Sequence, residues 1–195
     1  TPKSLLRNPA ASSDLSQLVS GTFRMVLDDQ INTDNDAVTR LVLCSGKVAV
    51  DLDASPLRAE AKRVAIARVE QLAPFPKIPL GKTLALYPNL REVAWLQEEP
   101  KNMGAWTYIH EKLREVANDL PVSYIGRPER ASPAEGAADL HAAEQKRIIA
   151  AALEDAPEIP KAKSAGSSRK TATNGHAANG DAAETVEKKP TKSRS

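Results

Sequence analysis

The sequence predicts an α/β fold: a three-layer sandwich in which a mostly parallel sheet carries helices on both faces. Short, nearly continuous apolar runs, Arg40-Leu41-Val42-Leu43-Cys44, Val64 to Val69 and Val93-Ala94-Trp95-Leu96, suit strands buried on both sides. Stretches with helical spacing alternate with these runs, and that alternation implies right-handed crossovers between parallel neighbours. The composition then changes. From Pro160 onward there is no Leu, Ile, Met, Phe, Trp or Tyr, and Val186 is the sole large aliphatic residue. Such a segment cannot offset roughly 1–2 kcal/mol of backbone entropy per residue, so a disordered tail is expected over 154–195.

Residues 1–38 read as a lead-in segment. Ser13 is placed to cap a short helix through Val19, which Gly21 stops. Asp28 to Asp36 is polar and acidic and reads as a solvated, turn-rich loop. It lacks the glycine and terminal glutamate of a calcium-binding EF-hand loop. The α/β domain is expected over 39–153. The first strand, Arg40 to Cys44, leads to a helix over 47–62 with Val50, Leu57 and Ala61 at helical spacing and a break or kink at Pro56. The second strand is Val64 to Val69. Pro79 suits the first turn of a helix over 79–87. A third strand, Glu92 to Leu96, precedes the clearest helix, expected over 103–118, with Trp106, Ile109, Leu113 and Val116 on one stripe. Val122 to Ile125 is the last strand. Ala138 to Leu153 is the last helix, with Leu140, Ile148, Ile149 and Leu153 as its apolar positions.

Charge narrows the functional classes. The chain has 195 residues with 27 Lys+Arg and 25 Asp+Glu, and residues 1–153 hold 19 of each. A neutral body argues against a nucleic-acid surface, which needs clustered positive charge. The basic clusters of the tail, Lys161-Ala162-Lys163, Arg169-Lys170 and Lys188-Lys189, read as solubilising, with contact to nucleic acid or an acidic partner as the alternative. Cys44 is the only cysteine, so no intrachain disulfide forms; at the end of an apolar run it reads as a buried residue rather than a nucleophile. His110, His141 and His176 lack paired spacing, so no metal site is expected. No apolar run approaches the roughly 20 residues of a membrane span. The start, Thr1-Pro2-Lys3, has no signal-peptide pattern and reads like a cut through a longer protein.

Two strand ends carry the candidate chemistry. Ser45-Gly46-Lys47 follows the first sheet strand, where a glycine lets backbone approach a phosphate, the next helix offers free N–H groups and Lys47 adds charge. A plain strand-to-helix turn is the alternative, since three residues are not a full phosphate loop. Glu98 and Glu99 follow the third strand. Neighbours on an extended chain point to opposite faces, so they do not share a proton as an acid/base pair. One is expected to cap the helix beginning near Asn102 and the other to meet a cation across an interface. Trp106 is expected to anchor a core or an interface.

The segment Gln97-Glu98-Glu99-Pro100-Lys101-Asn102-Met103-Gly104-Ala105-Trp106 does more. With Thr1-Pro2-Lys3-Ser4-Leu5-Leu6-Arg7, Gly21-Thr22-Phe23, Cys44-Ser45-Gly46-Lys47, Val64 to Pro76, Gly126-Arg127-Pro128, Ala131-Ser132-Pro133-Ala134 and His141 with Glu144-Gln145, it appears in a fixed order over about residues 1–153. This chain resembles the C-terminal domain of the thiamine-diphosphate-dependent first component of the 2-oxoglutarate dehydrogenase complex. Met103 stands where that family often has glutamine.

The resemblance implies a transketolase C-terminal-domain-like fold and a parent that decarboxylates 2-oxoglutarate on thiamine diphosphate and magnesium. The succinyl group would then pass to a lipoyl acyltransferase. It implies a homodimer partner and upstream domains holding the catalytic histidines and glutamate, so no catalytic residue and no cofactor are expected in this chain. The sole Gly-Asp-Ala, Gly180-Asp181-Ala182, is followed by no asparagine and cannot complete a diphosphate–metal site. The resemblance further implies a regulatory AMP or acetyl-CoA site, for which Ser45, Gly46, Lys47, Arg7, Arg127 and Arg130 are the candidates. Glu98, Glu99, Asn102 and Trp106 are the interface candidates. The compartment would be the cytoplasm of a bacterium or the matrix of a mitochondrion. A stand-alone nucleotide-binding regulatory module is the other reading.

Overall fold

A computed structural model describes residues 2–155. The tail expected over 154–195 lies outside the described residues from 156 onward; within it, the Glu154 carbonyl accepts from Arg40 and Asp155 pairs with Arg63. Five strands form one sheet: β1 (Val26–Leu27), β2 (Arg40–Cys44), β3 (Val64–Val69), β4 (Glu92–Pro100) and β5 (Val122–Arg127), in the order β1-β3-β2-β4-β5. All neighbours are parallel except β1, which runs antiparallel to β3 with Val26 opposite Val69. The helices are α1 (Leu15–Val19), α2 (Lys47–Asp53), α3 (Lys77–Leu84), α4 (Trp106–Ala117) and α5 (Ala138–Leu153).

Period-2 alternation along the strands sorts side chains into two cores. Leu41, Leu43, Ala65, Ala67, Val93 and Trp95 face α3 and α4, joined by Leu80, Ile109 and Leu113. Val42, Cys44, Val64, Ile66, Ala94 and Leu96 face α2 and α5, joined by Val48, Leu52, Ile148 and Ala152. The α/β sandwich with helices on both faces is therefore the observed fold. β3 and α5 have the bounds that their patterns predict.

Several local expectations are corrected. The lead-in segment contributes β1, too short to show a pattern. The cap of α1 is Asp14 rather than Ser13: Asp14 sits in extended conformation immediately before the helix and its carboxylate accepts the Ser16 N–H at 2.8 Å. Ser20 ends α1, and at Gly21 a Cβ would lie 2.3 Å from the Gln17 carbonyl oxygen, so only glycine fits. The loop after β1 is not wholly solvated. Asp29 accepts the Ile66 N–H at 2.8 Å and pairs with the buried Arg58, while Asp28 accepts the Thr83 hydroxyl at 2.6 Å. These contacts tie the loop to β3 and α3. The break near Pro56 is complete, since α2 ends at Asp53 and a separate 3-10 turn covers Pro56–Ala59. Leu57 is therefore exposed instead of lying on a helical stripe.

α3 begins two residues early at Lys77, and β5 runs two residues further, to Arg127. β4 extends through Pro100, so Gln97, Glu98 and Glu99 are strand and not loop. α4 begins at Trp106, because Gly104 turns the chain at φ +67° before a helix can start. Leu140 points away from the core of α5 and is exposed.

A buried ionic frame closes the amino ends of the strands. Arg40 Nε pairs with Glu92 at 2.9 Å, and Arg40 Nη1 donates to the Glu154 carbonyl at 2.7 Å and the Ala151 carbonyl at 3.1 Å. The guanidinium thus satisfies carbonyls that the end of α5 leaves free. Ser123 donates its hydroxyl to Glu92 from the neighbouring strand.

Candidate functional site

β2 and β4 are adjacent, yet the helices that follow them leave to opposite faces, α2 to one and α4 to the other. Their carboxyl ends therefore splay apart. This is the position at which open α/β sheets hold ligands. A crevice of ≈ 670 Å³ lies there, lined by Ser45, Gly46, Lys47, Gln97, Glu98 and Glu99, with Leu72, Trp95, Gly104 and Tyr108 on its apolar side.

The crevice wall on the β2 side is a turn at Gly46, whose φ of +75° suits glycine. Lys47 opens α2. Its ammonium pairs with Asp51 one turn on and lies 3.8 Å from Glu98 on the β4 side. Gln145 of α5 donates to Asp51 at 3.0 Å. Lys47 is thus already matched by carboxylates, and an incoming anion has to displace one of them.

Gln97 organises the other wall. It is buried, and its Oε1 accepts both the Trp95 Nε1–H and the Trp106 N–H at 3.0 Å. Its Nε2 donates to the carbonyls of Met103 at 2.7 Å and Pro100 at 3.1 Å. The free N–H at the start of α4 is therefore satisfied by Gln97, and the expectation that Glu98 or Glu99 caps this helix is corrected. Their backbone does the work. Arg127 donates to the Glu98 carbonyl, and the Tyr124 hydroxyl donates to the Glu99 carbonyl at 3.0 Å. The phenol is a donor at neutral pH in any case, and burial pushes it up to about 12, which extends that into the alkaline range.

The sequence candidates divide into groups. Ser45, Gly46 and Lys47 meet Glu98 and Glu99 in the crevice. Arg127 ends β5 and Arg130 lies just beyond it, and both pair with Glu135, Arg127 at 3.5 Å. Arg127 also approaches His141 Nδ1 at 3.2 Å. Arg7 stands apart and exposed, next to the 3-10 turn Lys3–Leu5. Asn102 exchanges two hydrogen bonds with the Arg130 backbone, at 2.9 and 3.1 Å. Trp106 is buried, with Tyr124 stacked at a tilt 5.2 Å away and His110 at 4.5 Å.

Sequence reasoning missed Gln97, Glu135, the Arg40–Glu92 pair and the Arg58–Asp29 pair. A polar residue closing an apolar run was the one signal for Gln97. Cys44 lies under the turn, and burial pushes its thiol up to about 12, which suppresses the thiolate a nucleophile needs. Among the described residues no three His, Cys, Asp or Glu side chains gather as a metal site. Among them, too, no helix is long and apolar enough to cross a membrane.

A doubly wound α/β domain with its crevice at the switch point of the sheet is the class of protein that this geometry defines. The comparisons with known proteins agree in one family. A sequence model described as 2-oxoglutarate dehydrogenase C-terminal matches residues 12–153, and the chain belongs to that family. It is 49% identical over 156 residues to the 2-oxoglutarate dehydrogenase E1 component of Geobacillus sp. (strain WCH70), covering 78% of this chain and 16% of that protein. It is 46% identical over 157 residues to the protein of the same name from Bacillus subtilis (strain 168), covering 78% and 17% respectively. The chain thus spans about a sixth of the length of the curated relatives it matches.

Proposed function

We propose that this chain works as the C-terminal domain of the decarboxylating E1 component of a 2-oxoglutarate dehydrogenase complex. The observation that carries the proposal is the identity of 49% over 156 residues to such an E1 component. The parent would oxidatively decarboxylate 2-oxoglutarate and pass the succinyl group to the lipoyl acyltransferase, as a homodimer in the bacterial cytoplasm. The α/β domain takes β1 from the lead-in segment 1–38 together with 39–153, and 154–195 follow it.

Thiamine diphosphate and magnesium belong to the parent in this reading. The described residues do not fit them: they contain no Gly-Asp-Gly and gather no metal-ligand set. The contribution of this domain is structural and regulatory. Glu98, Glu99 and Asn102 shape the surface toward the dimer partner and upstream domains, with Trp106 buried in the core behind them. Ser45, Gly46 and Lys47 line the crevice that takes a nucleotide effector, with Lys47 as its cation, while Arg7, Arg127 and Arg130 stand apart from it.

Two measurements test this reading. The Bacillus subtilis E1 component with its C-terminal domain replaced by this chain retains 2-oxoglutarate-dependent reduction of an artificial electron acceptor; a folded but inactive chimera refutes the assignment. AMP or acetyl-CoA raises the melting temperature of that chimera, since a ligand confined to the folded state adds about 2.7 kcal/mol at roughly one hundred times its dissociation constant. Lys47→Met weakens the shift and changes the unliganded stability by no more than about 1 kcal/mol, the range of a partly exposed ion pair. An unaltered shift removes Lys47 from the effector site.

A further inference from the structure

The first 24 described residues, 2–25, contain no buried side chain. They are nonetheless shaped. Asn8 accepts the Ala10 N–H in front of the 3-10 turn Pro9–Ala11, and the Ser12 hydroxyl closes that turn on the Pro9 carbonyl. Asp14 caps α1, the Ser20 hydroxyl returns to the Ser16 carbonyl, and Gly21 lets the chain fold back over Gln17. These bonds are all local, and none of them buries apolar surface.

Apolar side chains are what this segment displays. Leu15, Leu18 and Val19 stand at i, i+3 and i+4 of α1, so they form one stripe, and they are 71%, 76% and 78% exposed. Leu6 at 70% and Phe23 at 68% join them. Elsewhere among the described residues, large exposed apolar side chains such as Ile78 and Leu140 are widely spaced along the chain. A five-residue helix has too few internal bonds to hold itself in water. Packing against another surface supplies what its own bonds do not.

We infer that residues 2–25 are a docking arm whose apolar stripe is covered by the part of the E1 polypeptide preceding this domain. The inference rests on the E1 reading above and names the partner of this surface. The matched relatives are about six times longer than the matched region, and the family is the C-terminal one, so in them most of the chain lies ahead of it. The arm precedes β1 and so lies on the side from which that polypeptide arrives. Attachment favours the same occupant over a second copy, because a covalently linked neighbour is present at high effective concentration and needs less buried area than a free partner.

The test compares the 195-residue chain with the Bacillus subtilis E1 chimera that carries it. In the active chimera, amide hydrogen exchange over residues 5–25 slows by at least about tenfold relative to the isolated chain, because covering the arm suppresses its local opening. Leu18→Ser with Phe23→Ser abolishes that protection and makes the chimera's activity more heat-labile. The same pair leaves the melting temperature of the isolated chain unchanged, which separates docking from a role in folding. Unslowed exchange in an active chimera overturns the docking arm while leaving the E1 reading standing. A folded but inactive chimera overturns the E1 reading and the arm's assignment with it. An isolated chain that sediments as a dimer, and as a monomer once substituted, assigns the stripe to a second copy and overturns the proposed occupant.

Discussion

Replacing Gln97 with leucine should remove a large part of the stability of this domain. The side chain is buried, and leucine occupies nearly the same volume, so packing changes little. What changes is hydrogen bonding. The Trp95 Nε1–H and the Trp106 N–H, each 3.0 Å from Oε1, lose their acceptor, and the Met103 and Pro100 carbonyls lose a donor. A buried donor left without a partner costs about 1–3 kcal/mol, so two of them put the loss near 4 kcal/mol. Domains of this size are stable by about 5–15 kcal/mol, so this is a quarter or more of the total. Urea unfolding followed by tryptophan emission measures it directly. Trp95 and Trp106 are the only tryptophans, and both contact Gln97. With a slope of about 2 kcal/mol per molar urea, the midpoint falls by about 2 M. A fall below about 0.5 M would refute the reasoning, because water would then be satisfying these groups. Glu99→Leu is the control: its carbonyl makes the bonds and its side chain is exposed, so the midpoint barely moves.

Asp29→Ala leaves Arg58 buried without its carboxylate and Ile66 without an acceptor, and urea unfolding should show a loss of about 3–5 kcal/mol. Asp29→Leu with Arg58→Leu should recover much of it. Gly104→Ala should cost about 1–3 kcal/mol, since φ is +67° and a Cβ would lie 2.9 Å from the Gln97 amide nitrogen. The Cys44 thiol, raised from its ordinary 9.0 to about 12, should resist a chromogenic disulfide reagent at pH 8 and react at once in urea. The folded chain keeps this proton where the unfolded chain loses it, so the thiol's contribution makes stability fall as pH rises from 9.0 toward 12.

The architecture was legible wherever burial imposes a period. β3 and α5 are read to the residue, because a strand buried on both faces and a long amphipathic helix leave unbroken patterns. Ends set by distant partners were not legible. β4 was cut short at Leu96 because Gln97, Glu98 and Glu99 are polar, and nothing local says that a glutamine will be buried against two tryptophans. The start of α4 was placed early for the same reason: its cap lies nine residues back in another element. Buried charges were missed because their partners are remote, Glu92 standing 52 positions from Arg40 and Asp29 standing 29 from Arg58. The candidate site was partly legible. Strand polarity and topology bring Lys47 to Glu98, whereas two further residues of β5 carry Arg127 and Arg130 into a separate cluster around Glu135.

β4 outruns its neighbour. Pairing with β2 stops at Cys44 opposite Leu96, and Gln97 to Pro100 continue as a beam supported from one side. Its supports are the Gln97 amide, within the beam itself, and from β5 the Arg127 guanidinium on the Glu98 carbonyl and the Tyr124 hydroxyl on the Glu99 carbonyl. The side chains of Glu98 and Glu99 carry none of that load. Frame and crevice lining are therefore separable, and positions 98 and 99 can be rewritten without rebuilding the beam that holds them.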